Sequence, residues 1–149
     1  MRSFSRQSGV GLIEVLIAVL VLSIGFLGIA ALQAKSLSTN NSSMARTNAV
    51  ISSYSILDAM RVDKANALAL VYNQTVTADS CPNTGGALSA TQLHNWCVEL
   101  GERLGVSANT KGTILCTAVG DCTITVQFDD SRSGVGGSSA QQIITKAML

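Results

Sequence analysis

GVGLIEVLIAVLVLSIGFLGIAALQA, residues Gly9–Ala34, is the stretch that decides the fold. From Val15 to Ala34 it holds no charged residue and almost no polar one. A helix rises about 1.5 Å per residue, so this segment spans roughly 30 Å, the hydrocarbon thickness of a bilayer. Glu14 breaks the pattern at the mouth of the apolar run. A carboxylate there costs a few kcal/mol unless it finds a partner, which marks it as a functional residue.

Met1–Ser8, MRSFSRQS, carries Arg2 and Arg6 and no acid. Positive charge ahead of an apolar run holds that end in the cytoplasm and sends the rest of the chain outward. A secretory signal has its small-residue cleavage site after the apolar region and no acid inside it. The order here is basic leader, Gly9, Val10-Gly11-Leu12-Ile13-Glu14, then the apolar helix. It resembles the class III signal of type IV pilins and pseudopilins, with Val10 and Gly11 where that family usually has Phe and Thr or Ser. The resemblance implies cleavage between Gly9 and Val10 by a prepilin peptidase and N-methylation of Val10. It also implies that Glu14 is the residue that guides assembly and binds a partner subunit.

Beyond Ala34 the apolar character falls but a helical rhythm continues. Leu37, Met44 and Ile51 are seven apart, and Val50, Tyr54 and Leu57 join at helical spacing. Ser, Thr, Asn, Lys35 and Arg46 lie between them. The pattern predicts one greasy stripe with a polar back, on a helix from about Leu12 to about Val62 whose outer half packs on a domain. Ser23, Gly25 and Gly28 make a soft place in its inner half, where the helix bends on assembly or packs closely against neighbours. Asp58, Met60 and Arg61 in Leu57–Asp63, with Leu22-Ser-Ile-Gly25 and Leu27-Gly28, resemble the minor pilins called pilus modification protein V. As residues alone, Asp58 and Arg61 are equally a solvated helix pair.

The rest reads as one small exported domain. Residues 65–87 look loop-like, with Ala67–Tyr72 tucked under the domain. Ser89–Leu104 reads as a second helix, with Ser89 as N-cap, Leu93, Trp96, Cys97 and Leu100 on one face, and Gly105 as the stop. Thr113–Thr117 and Cys122–Phe128 read as strands joined by a turn at Val119-Gly120-Asp121. Ile124, Val126 and Phe128 share a face. Asp129–Ser139 is a flexible connection, and Gln141–Leu149 a last strand with Ile143 and Ile144 as its apolar part.

Beyond the apolar helix the aromatics are only Tyr54, Tyr72, Trp96 and Phe128, and so thin a core calls for staples. Cys81, Cys97, Cys116 and Cys122 all lie there, an even count that reads as two disulfides. A hairpin mouth between Cys116 and Cys122 favours that pair and leaves Cys81 for Cys97, while the other two pairings stay open. Zinc needs closer pairs than these gaps of fifteen, eighteen and five residues, and only His94, one turn before Cys97, favours metal. Asp129 and Asp130 lack the spacing of a calcium loop and read as a solvated turn. One histidine and no phosphate-binding glycine pattern speak against an enzyme, and no cofactor or metal is expected. No basic block advertises a nucleic-acid surface.

The expected architecture is α+β and pilin-like, a long N-terminal helix with a membrane half and an amphipathic half on a small disulfide-stapled antiparallel sheet. Its parts are the leader 1–9, the transmembrane and assembly helix 10–34, the amphipathic half 35–63 and the periplasmic head 64–149. The resemblance implies a minor pilin that primes a type IV pilus or sits at its tip, in adhesion, twitching or DNA uptake. Its implied partners are the peptidase, other minor pilins, the major pilin, the inner-membrane assembly platform and a tip adhesin. It would pass once through the inner membrane, head in the periplasm, before entering an extracellular pilus. A minor pseudopilin of type II secretion has the same signal. A membrane-tethered periplasmic binding module is the reading of another class.

Overall fold

The structure, a computed structural model, describes Gly9, residues 11–133 and residues 136–149. It divides into two compact units, Met1–Leu37 and Ser38–Leu149. One helix, α1 (Leu12–Val62), supplies the first unit and opens the second. No proline interrupts it, and its only glycines are Gly25 and Gly28.

In the second unit α1 is followed by α2 (Lys64–Leu68), β1 (Thr75–Thr77), α3 (Leu88–Leu104), β2 (Lys111–Cys116), β3 (Asp121–Phe128), a 3-10 turn (Ser131–Ser133) and β4 (Gln141–Met148). The four strands form one antiparallel sheet in the order β1-β2-β3-β4. The outer half of α1 packs with this sheet, so the chain is α+β and pilin-like, stapled by two disulfides. The core joins Ile56, Leu57 and Met60 of α1 to Leu93, Trp96 and Leu100 of α3. From the sheet it takes Ile114, Ile124, Val126 and Phe128.

The buried face of α1 is not the predicted stripe. Leu37, Met44, Ile51 and Tyr54 are exposed, and of the predicted set only Leu57 is buried. The packed face instead begins with small residues, Ala49, Ser52 and Ser53. Small side chains admit the Trp96 ring, whose Nε1 donates to the Ser52 carbonyl at 2.9 Å. The two serine hydroxyls are satisfied locally: Ser52 donates to Glu99 Oε1 and Ser53 to the Ala49 carbonyl. Burial without an unpaired polar atom is therefore open to serine here.

Other expectations need correcting. The loop-like stretch hides α2 and β1. Helix α2 ends with Val71 N–H donating to Asn66 O and Leu70 N–H to Ala67 O, with Leu70 left-handed at φ +64°. That is a glycine-type helix stop built on leucine. Ser89 does not cap α3: the N-cap is Ala87, without a side-chain bond, and Ser89 is buried one residue inside the helix. Gly105 does end α3, at φ +97°. In β4, Ile143 faces the core and Ile144 faces out, as the two-residue period of a strand demands. Gly112 sits where β2 meets α3, and a Cβ there would strike the Trp96 ring and Leu100. The sheet can approach the helix this closely only with glycine.

Candidate functional site

The start of α1 presents the predicted motif in order. Gly9 and Gly11 are exposed and precede the helix. The Gly11 carbonyl accepts from Glu14 N–H at 3.0 Å and from Val15 N–H at 3.4 Å, which places Glu14 in the first turn. An acid is electrostatically favoured at a helix N-terminus. Among the described residues no hydrogen bond or ion pair engages the Glu14 side chain. With Val15, Ala18, Val19 and Leu22 it lines a furrow of about 470 Å³ along one helix face. These residues recur every three or four positions, and the short Ala18 side chain hollows the furrow. Val10 and the leader Met1–Ser8 lie outside the described residues.

Every described residue of α1 up to Leu37 is exposed, including Leu16, Leu20, Ile24 and Phe26. Among the described residues α1 is the one helix long and apolar enough to cross a membrane. A Cβ added at Gly25 or Gly28 would meet nothing within 4 Å, so packing inside this chain does not require either glycine. Ser23 Oγ donates back to the Val19 carbonyl at 2.7 Å, a bond that often bends helices.

The four cysteines come together as Cys81–Cys97, with Cα atoms 5.6 Å apart, and Cys116–Cys122, directly opposed on β2 and β3. The first ties the incoming loop to α3 and the second closes the β2–β3 hairpin. His94 places Nδ1 at 2.7 Å from the Pro82 carbonyl. Among the described residues no three His, Cys, Asp or Glu side chains gather as a metal site.

Several polar anchors escaped the sequence. Asp130 is buried rather than solvated: it accepts from Ser42 Oγ at 2.6 Å and pairs with Arg46 at 3.5 Å. Its neighbour Asp129 is exposed, and bonds from the Ser131 N–H and hydroxyl, with the nearby Arg132 charge, hold its carboxyl below the ordinary range. Glu99 accepts from Ser52, Ser55 and Arg103 Nε, beside a cleft of about 200 Å³ lined by Ser55, Ala59, Gln92 and Asn95. The Tyr72 hydroxyl donates to Asp63 Oδ2 at 2.8 Å and meets the Gln92 side chain. Burial first, then the Asp63 bond and charge, raise this phenol well above its usual range. Ser42 with Asp130 and Ser52 with Glu99 are far apart in sequence, and no local pattern joins them.

Residues 4–30 match the prokaryotic N-terminal methylation motif. The chain carries a prepilin signal. That signal supports a type IV pilin or pseudopilin, a structural subunit rather than an enzyme. It implies processing by a prepilin peptidase and assembly with other pilins. Together with the apolar α1 it fits a membrane-anchored pilin. Neither curated proteins nor solved structures yield a match to this chain.

Proposed function

We propose that the chain is a minor pilin that primes a type IV pilus or sits at its tip. The observation that carries the proposal is the methylation motif at residues 4–30, which runs into a helix whose first half is exposed and whose Glu14 carboxylate has no partner among the described residues. Residues 10–34 form the membrane and assembly segment, 35–63 the bridge into the head, and 64–149 the periplasmic head. Cleavage after Gly9 frees the Val10 amine, which methylation leaves positively charged. Glu14 of one subunit then pairs with that amine on a neighbour. Taking two charges out of water is costly, so an unpaired Glu14 is penalised and the correct register is rewarded. Apolar packing supplies the bulk of the association, and the exposed Leu37, Met44 and Ile51 extend the apolar surface available to neighbouring helices. Gly25 and Gly28 leave this helix free to bend as it leaves the bilayer.

The stretch around Asp58, Met60 and Arg61 favours the pilus modification protein V branch. In this fold Arg61 pairs with Asp58 at 2.6 Å and both are exposed. A pseudopilin of type II secretion shares the signal and the Glu14 chemistry. The test is the intact mass of the membrane-extracted protein. A chain beginning at N-methylated Val10 is expected, and one beginning at Met1 or near Ala31 would overturn the reading. Glu14→Ala is then expected to reach the membrane and be cut, yet be missing from sheared pili. Its normal presence there would remove Glu14 from assembly. Finding the wild-type protein only in a secretion pseudopilus would decide for the pseudopilin.

A further inference from the structure

The two edges of the sheet are treated in opposite ways. The β1 edge is only three residues long, and the chain folds back on it: Thr77 bridges to Ser80, whose N–H bonds the Thr77 carbonyl. Where β1 runs out, the Asn73 amide takes over as a stand-in strand, accepting from Cys116 N–H at 2.8 Å and donating to the Cys116 carbonyl at 2.9 Å. The β4 edge is eight residues long, with no proline and no bulge in its register. Bonded pairs alternate along an antiparallel ladder. Leu149 N–H bonds Gly120 O in continuation of the β3–β4 register, so the odd-numbered residues of β4 are the ones bonded to β3. The N–H and C=O groups of Gln142, Ile144, Lys146 and Met148 therefore point away from the sheet. Of these, the Met148 carbonyl is held by Arg61 at 3.4 Å, and the Gln142 carbonyl receives a long 3.5 Å bond from the Gln141 side chain. Among the described residues the outward groups of Ile144 and Lys146 have no partner.

A second observation falls on the same edge. The inward residues of β2 and β3 are all buried, from Gly112 to Cys116 and from Cys122 to Phe128. The inward residues of β4, Ile143, Thr145 and Ala147, are only half-covered. The core lacks a flank exactly where the backbone lacks a neighbour.

We propose that the β4 edge is a docking site for an extended segment of a partner protein, which adds antiparallel to Gln142–Lys146 as a fifth strand. Only an extended backbone offers donors and acceptors at the repeat of the outward row. Its inward side chains, apolar and β-branched, would cover Ile143 and Ala147. On the outer face it would set an apolar residue against Ile144 and an acid against Lys146, both exposed. A lysine on an open edge discourages indiscriminate pairing and so selects an acidic partner strand. The inference concerns the head alone and does not depend on entry into a pilus.

The test uses the full chain in detergent micelles and a capped seven-residue peptide. The peptide carries valine at its inward positions, valine facing Ile144 and glutamate facing Lys146. Amide hydrogen exchange is read residue by residue. Without peptide, the Ile144 and Lys146 amides are expected to exchange rapidly while Ile143, Thr145 and Ala147 are protected. With peptide at millimolar concentration, Gln142, Ile144 and Lys146 become protected. Ile144→Pro removes one edge donor and should weaken binding by roughly an order of magnitude. The protected odd-numbered amides of β4 report that this variant is folded. Lys146→Glu should weaken the glutamate peptide by about two- to fivefold and favour a lysine peptide by as much. No new protection at β4, or new protection at Thr75 on the other edge, would overturn the proposal. Protection that grows with protein concentration in the absence of peptide would overturn it too, by assigning the edge to a second copy.

Discussion

Residues 12–37 of α1 are almost wholly apolar, and every one of them is exposed. Residues 38–62 are rich in Ser, Asn and Thr, yet this half contributes Ala49, Ser52, Ser53, Ile56, Leu57 and Met60 to the interior. Apolar content and burial run in opposite directions along one helix. Burial follows the presence of a complementary surface, and among the described residues only the second half meets one. The first half leaves its apolar face exposed, which with the methylation motif fits a membrane-anchored pilin.

The contrast is broken most directly by truncating one leucine in each half. Leu57→Ala should lower the unfolding free energy of the head by about 2–5 kcal/mol, the usual range for emptying a buried leucine site. Leu20→Ala should change it by less than about 0.5 kcal/mol. Thermal unfolding in detergent, followed through the buried Trp96, reads both, and equal effects would erase the distinction. Next come the staples, confined to the second unit. Replacing Cys81 and Cys97 by serine should cost about 3 kcal/mol, and Cys116 and Cys122 about 2 kcal/mol, because the first pair closes a longer loop. Non-reducing denaturant titrations of the two double variants give the order.

Asp130→Ala sharpens the picture of the packed half. Removing the buried acceptor of Ser42 should cost about 1.5–3 kcal/mol in the same titration. A change near zero would return Asp130 to the solvated role its sequence suggested. The smallest effect is confined to alkaline pH. Tyr72 has its folded pKa raised above its unfolded value of 10.0. Its contribution is therefore complete below pH 10 and lost as pH climbs beyond it, by up to about 1.4 kcal/mol per pH unit. Tyr72→Phe should lack that fall. A comparison of the two stability profiles from neutral to strongly alkaline pH checks it.

Much of this was legible beforehand because it rests on local rules. The long helix, the helix ended by Gly105, the turn at Gly120 and the two central strands follow from periodicity and from residues that permit special backbone angles. Strand β1 was missed because three residues carry too little pattern, and its neighbour Asn73 works through a side chain that mimics backbone. The Leu37, Met44 and Ile51 stripe was read as the packed face because heptad spacing marks an apolar face without saying what covers it. Gly112 lies just ahead of the predicted strand Thr113–Thr117, and nothing in the sequence says that Trp96 and Leu100 press upon it.

By itself the sequence determined the signal around Gly9 and Glu14, the apolar span, the α+β class and the need for disulfides. These depend on composition and short-range order along the chain. The tertiary structure alone decided which face of α1 is buried, that serines line that face, that Asp130 is an anchor, and that one sheet edge is short while the other is long and open. Each of those turns on which distant residues come within bonding distance. Ser52 with Trp96, Ser42 with Asp130 and Asn73 with Cys116 are separated by 44, 88 and 43 positions, and no local pattern spans such distances.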